Sequence, residues 1–477
     1  MLQIHSWIGG TEVNATPAKE IDVRNPYNNE LIGKIACATE QDVVRAIETA
    51  QAVYTEKLKV MPAHERSRIL RKASILLEEQ AEEFAKTLVL EAGKPIIEAR
   101  GEVARAVQVL QFASEGAKQL NGEQIVLDNA VGGERQFGFS KRVPIGVVAA
   151  ITPFNFPLNM VLHKVAPAFA AGNTIVLKPA EKTPLSAVLL HQLLQQAGVP
   201  DGAFNIVHGP GADLVPTLVT HPFVKKVTFT GSGAVGWHIQ NLAKGKKVTL
   251  ELGSNAPNIV FDDANLENAV DAIVMGGFTF AGQACVSAQR IYVHENVYDV
   301  FIEKLITKVR SLQMGDPREE TTQLGPMISL DAAKRAESWI NEAVSLGAVI
   351  RTGGKRNGTM VEPTILDQVT DTMNVVCAEV FAPIVAVLPF STEDEVITYA
   401  NDSKYGLQAG VFTNNINRAL KLADALETGG VWINEVSVRR YDHIPYGGIK
   451  ESGIGKEGIK YSIEAMTDVK FVGIKLL

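Results

Sequence analysis

The chain has 477 residues, 46% of them hydrophobic, enough for one large core or two to three domains. Its 46 basic and 53 acidic residues leave a formal net charge of -7, a balance that marks neither a nucleic-acid nor an anionic-membrane surface. The N-terminal MLQIHSWIGGTEV is not signal-like, no stretch approaches the ~20 apolar residues of a membrane span, and the three cysteines, Cys37, Cys285 and Cys377, indicate no disulfide framework. The expectation is a cytoplasmic protein that works on small molecules without nucleic acid, membrane or metal.

Taken in chain order, Leu70, Ala73, Leu77, Ala81, Phe84 and Leu88 recur every three or four residues and predict one amphipathic helix between Pro62 and Ala92, ended by Gly93 and Pro95. A second helical period runs from Ile96 to about Gly116. Gln124 to Asp128 and Arg135 to Arg142 then flank a Gly132-Gly133 turn and predict a hairpin. From Val143 to about Gly253 short β-rich runs (GVVAAIT, NTIVLKP, FNIVHG, KKVTFTG) alternate with helical stretches, the pattern of βαβ units and a parallel, dinucleotide-type sheet. A second alternating region spans about Asn258 to Gly430, and TDVKFVGIKLL reads as a terminal strand.

Within this frame a few segments carry chemistry. Cys285, in FAGQACVSAQR, is flanked by small residues that leave its sulfur approachable, although a free cysteine also serves as an inert small hydrophobe. Glu251 ends the apolar run VTLEL, where a partly dry carboxylate with a raised pKa could act as a general base. Asn155, in the loop PFNFP, could donate to a developing oxyanion or be a plain turn asparagine. Lys178 and Glu181, in LKPAEKTP, stand beyond a strand end, where α/β folds bind nucleotides, so they suit a ribose or phosphate; capping and surface charge are the plainer reading. Gly231, Gly233 and Gly236 show the G-x-G-x-x-G spacing after a predicted strand, which on a simple Rossmann reading would turn Glu251 into a ribose-binding acid instead.

In this order, and from VRNPYNNELIGKI to PYGGIKESGIGKEG, these motifs resemble the aldehyde dehydrogenase superfamily over nearly the whole chain. The resemblance implies an α/β, aldehyde dehydrogenase-like fold: a Rossmann-like cofactor domain (residues 1–123 and 143–253), an α/β catalytic domain (254–453) and a β oligomerisation arm (124–142 and 454–477). It makes Cys285 the nucleophile, Glu251 the general base that hydrolyses the thioester, and Asn155, with the Cys285 N–H, the oxyanion donor. Lys178, Glu181, Gly231, Ser232 and Gly236 then hold NAD, with NADP possible, and Glu379 and Phe381 position its nicotinamide end. The expected reaction is oxidation of an aldehyde to its acid, and the arm implies a homodimer or homotetramer. A coenzyme A-acylating relative, which lacks the hydrolytic base, and a catalytically silent structural protein of the same fold are the alternatives.

The substrate is read from arginines, whose planar, always-charged fork suits carboxylate or phosphate. Arg105, Arg439 and Arg440 resemble those of members acting on short anionic aldehydes, such as glyceraldehyde 3-phosphate and phosphonoacetaldehyde, and the tail is similar to lactaldehyde dehydrogenases. Against a phosphate pocket, Ala284 precedes Cys285 where the glyceraldehyde 3-phosphate enzymes carry another arginine, and Arg439 and Arg440 could simply pair with local acids such as Asp442.

Overall fold

A computed structural model describes residues 2–13 and 19–476. The predicted first helix is two, Ala63–Glu79 and Ala81–Ala92, divided at Gln80, whose ψ of 14° departs from the helix. Gly93, at φ 68°, closes the second through a left-handed turn that glycine adopts without steric cost. Helix Ile96–Gly116 follows as expected, and with Ala63–Glu79 it buries one face against helix Asn159–Ala170.

An eight-stranded sheet runs in the order Gly453–Ile454, Lys247–Glu251, Val224–Thr230, Val147–Ile151, Thr174–Lys178, Phe204–Ile206, Trp7–Ile8, Thr11–Glu12. Its five central strands, Lys247–Glu251 to Phe204–Ile206, are parallel. Val147–Ile151 and Thr174–Lys178 are buried at every position because helices cover both faces, which is why these runs are continuously apolar rather than alternating. Register pairs Thr230 with Glu251, Phe229 with Ile151 and Ile151 with Lys178, so four strands finish at one edge. The strand order reverses between Val147–Ile151 and Val224–Thr230, which opens the crevice where such sheets take ligands.

The second alternating region builds a seven-stranded sheet in the order Val349–Thr352, Thr364–Asp367, Ile384–Phe390, Arg290–His294, Pro257–Val260, Gln408–Phe412, Gly430–Ile433, parallel apart from its first strand. The hairpin forms with a very short first strand, Gln124–Ile125, against Gln136–Pro144. The terminal strand Thr467–Lys475 pairs along all nine residues with Gln136–Pro144, giving one three-stranded sheet. Residues 454–466, expected in the arm, belong elsewhere: Gly453–Ile454 adds an antiparallel edge strand beside Glu251, and Ile459, Ile463 and Met466 pack into the first core. Among the described residues no helix is long and apolar enough to cross a membrane.

Candidate active site

The ends of the parallel strands wall one side of a cavity of about 390 Å³. Strand Val147–Ile151 leads into the loop carrying Asn155, Val224–Thr230 into Gly231 and Ser232, and Lys247–Glu251 ends on Glu251 itself; all of these line the cavity. Cys285, Glu379, Phe381, Arg105 and Arg440 line it as well. Cys285 arrives on the loop between helix Leu266–Phe278 and strand Arg290–His294. In that loop Phe280 and Ala281 both hold left-handed backbone (φ 48° and 53°), uncommon for side-chain-bearing residues. The Glu98 carboxylate accepts the Phe280 N–H at 2.9 Å and so fixes the strained turn; burial pushes Glu98 up to about 7.

Glu251 is 2% exposed, and among the described residues neither of its oxygens has a hydrogen-bond partner. Burial and then the Glu457 carboxylate raise its pKa well above the ordinary carboxyl range. For Glu457 burial acts upward too, yet the Lys164 and Arg440 cations hold it down to about 2. Lys164 Nζ is 2.8 Å from Glu457 and 2.7 Å from Thr230. A buried acid with free oxygens beside a thiol is suited to taking a proton.

Burial pushes the Cys285 thiol up to about 11, against a hydrogen bond of 3.1 Å with the Tyr446 hydroxyl that lowers it. Asn155 donates one Nδ2 hydrogen to the Gln283 carbonyl at 2.9 Å, which ties its amide to the cysteine loop and leaves the other hydrogen free to donate. Its backbone carbonyl accepts from Lys94 at 2.9 Å, and Lys94 pairs with Glu102, whose carboxylate takes the Leu158 and Asn159 N–H groups.

Lys178 and Glu181 lie outside this cavity, at the end of the neighbouring strand, where they pair with each other. Glu181 also accepts the Gly211 N–H at 3.0 Å, at the start of helix Gly211–Thr220. Helix Gly233–Leu242 starts at Gly233, where a Cβ would meet nothing within 4 Å, so its N-terminus is open to an anion. At Gly236 a Cβ would lie 2.2 Å from Leu252, and the glycine is what lets this helix approach the sheet. Glu379 accepts the Ser254 N–H at 3.2 Å and is raised to about 7 by burial, while Phe381 packs edge-on to Phe154 at 5.9 Å. An acid at a strand end, an open helix N-terminus and an aromatic beside the thiol fit a dinucleotide laid across the strand ends.

The arginines divide. Arg105 pairs with Asp442 at 2.7 Å through Nη2 and at 3.3 Å through Nε, and Asp442 also takes His163 at 2.8 Å. Arg440 pairs with Glu457 at 3.1 Å, while its Nε has no partner. Arg439 is not a cavity residue: it faces outward, 3.5 Å from Glu435 and over the Tyr441 ring. Tyr446, Lys94, Glu102 and His163 escaped sequence reasoning, because their partners are remote in the chain and no motif spacing announces them.

Comparison with known proteins gives the family and the fold. Residues 13–472 match the model of the aldehyde dehydrogenase family. The 3-sulfolactaldehyde dehydrogenase of Priestia megaterium is 47% identical over 462 residues, covering 97% of this chain and 96% of that protein. Among solved structures, aldehyde dehydrogenase 21 of Physcomitrella patens, in complex with its reaction product succinate, superposes with a TM-score of 0.96 at 41% identity, covering 99% and 98% of the two chains. The glyceraldehyde-3-phosphate dehydrogenase GapN of Methanocaldococcus jannaschii, complexed with NADP, gives a TM-score of 0.92 at 40% identity over 96% of this chain and all of that one (100%).

Proposed function

Because the chain belongs to the aldehyde dehydrogenase family, and is thus an NAD(P)-dependent oxidoreductase that converts an aldehyde to its acid, we propose that Cys285 carries the reaction covalently on a short anionic aldehyde. The Cys285 thiolate attacks the carbonyl carbon, and the Asn155 amide and the Cys285 N–H receive the oxyanion of the thiohemiacetal. A nicotinamide held at this cavity would supply the hydride acceptor through which the adduct becomes a thioester. Glu251 then takes a proton from water, the hydroxide adds to the thioester, and the C–S bond breaks to return the thiolate and release the carboxylic acid.

The observation that carries this reading is the cavity joining Cys285 and Asn155 to a buried Glu251 with both oxygens free. The same free carboxyl favours hydrolysis over transfer to coenzyme A, and the combination of thiol, acid and amide speaks against a silent structural role. Lys178, Glu181, Gly231, Ser232 and Gly236 would hold the dinucleotide, with Glu379 and Phe381 toward its nicotinamide end. Glu181 would accept from a ribose 2′-hydroxyl and repel a 2′-phosphate, which favours NAD over NADP. The cofactor unit comprises residues 1–123 and 143–253, the catalytic unit 254–453, and the arm starts at 124 and 467.

Anionic substrates are supported from two sides. The relatives named above act on 3-sulfolactaldehyde or glyceraldehyde 3-phosphate, or hold succinate as product. In this cavity Arg105 and Arg440 each keep an N–H outside their ion pairs. Cofactor reduction measured over anionic and neutral aldehydes of equal length, with NAD and with NADP, tests the proposal. Cys285→Ala should abolish turnover, whereas Cys37→Ala and Cys377→Ala keep most of it. Arg105→Leu should raise KM about tenfold for the anionic aldehydes alone. Neutral aldehydes turned over best and indifferent to Arg105 would refute the substrate class, and equal efficiency with both cofactors would refute the role of Glu181.

A further inference from the structure

Tyr446 is 2% exposed and its backbone and ring are both fixed. Its backbone exchanges hydrogen bonds with Glu457 at 3.1 and 2.6 Å. Its ring lies under the Arg440 guanidinium, 3.8 Å from ring centre to the central carbon. Arg440 is itself held by Glu457 and by His163 Nδ1 at 3.4 Å. Phenylalanine would serve this packing equally well. Among the described residues the hydroxyl meets one polar partner, the sulfur of Cys285 at 3.1 Å.

Resting on the covalent reading above, we propose that Tyr446 is a catalytic residue: its hydroxyl donates a hydrogen bond that stabilises the Cys285 thiolate, both as attacking nucleophile and as leaving group. A thiolate carries no proton, so the phenol must be the donor. A hydrogen bond to a charged acceptor is worth roughly twice a neutral one. The phenol keeps its proton throughout. When the thiohemiacetal forms, the sulfur charge passes to the carbonyl oxygen and the bond to Tyr446 weakens. When water has added to the thioester and the C–S bond breaks, the electron pair returns to sulfur and the bond strengthens again. The cation stacked on the ring supplements this, and its pairing with Glu457 ties the thiol environment to the buried charges beside Glu251.

The test reads the thiol itself, apart from turnover. In a Cys37→Ser, Cys377→Ser background, the rate of alkylation by iodoacetamide is followed from pH 6 to 11 without cofactor, with the label mapped to Cys285. Tyr446→Phe, which keeps the ring and the Arg440 stack, should slow alkylation by about tenfold at every pH where the thiolate is the minor form. Turnover should fall with it while KM for NAD stays within about twofold. An unchanged alkylation rate overturns the proposal even if activity falls, because that pattern belongs to a packing role. The covalent reading fails separately, by activity surviving Cys285→Ala.

Discussion

At Glu251 the fold opposes the chemistry it is asked to perform. Burial and the Glu457 charge both favour the protonated acid, yet a general base must be ionised. Activity limited by hydrolysis of the thioester should therefore climb as pH rises through the elevated pKa. Glu251→Gln should slow turnover by roughly 10² or more and flatten that climb, with cofactor affinity unchanged; loss of cofactor binding instead would make Glu251 a ribose-binding acid. Stability runs the other way. A carboxyl whose folded pKa is raised binds its proton more tightly in the native state, so its contribution is present below the unfolded value and is lost as pH rises through the folded one. The Gln variant should gain in Tm on the parent at alkaline pH and not at acid pH. Cys285, Glu251 and Asn155, which line one cavity, each sit in a short local pattern of strand end or small-residue loop that singles them out in the sequence, though not by role. Tyr446 was not legible, since it stands 161 residues from the thiol it touches. Nor could the sequence tell Arg439 from Arg440: neighbours on an irregular turn point apart, and only packing decides which one the buried Glu457 draws inward.

One helix and the turn before it join the two loops that carry the thiol and the amide. Lys94, Glu98 and Glu102 are spaced by four and share a face. Glu98 holds the turn before Cys285, while Lys94 and Glu102 hold the loop around Asn155. Both side chains of the Lys94–Glu102 pair are 1% exposed, so Lys94→Met leaves a buried, unpaired carboxylate. The cost should be about 3–5 kcal/mol, read by urea unfolding, and the freed Asn155 loop should lower turnover further than Tm alone would indicate. Wild-type stability in this variant would show the pair to be dispensable. The period of this helix was plain in the sequence, as were the parallel strands. The division at Gln80 was hidden, because Leu77 and Phe84 lie seven residues apart and the apolar phase continues unbroken across the kink.

Across the molecule, the three-stranded sheet leaves Val469 63%, Phe471 52% and Ile474 46% exposed on a long outer strand. An apolar edge of this kind normally finds a partner, and a homodimer or homotetramer would cover it. Light scattering after gel filtration should give that mass for the native chain and the protomer mass for a Val469→Lys, Phe471→Lys variant. A native monomer would refute the assembly. The strands of this sheet were legible as hairpin and tail; their union was not, because nothing local to Gln136–Pro144 signals a partner from the far end of the chain. The edge strand Gly453–Ile454 poses a related problem of timing. It closes the sheet beside Glu251, yet on the ribosome it emerges only after the whole seven-stranded sheet between them. Until then the nascent first unit shows an unpaired β-edge next to its own reaction centre, with part of its core unfilled where Ile459 and Ile463 will pack. The first unit to be synthesised is thus completed only after the second, and until then its open edge and unfilled core expose it to aggregation.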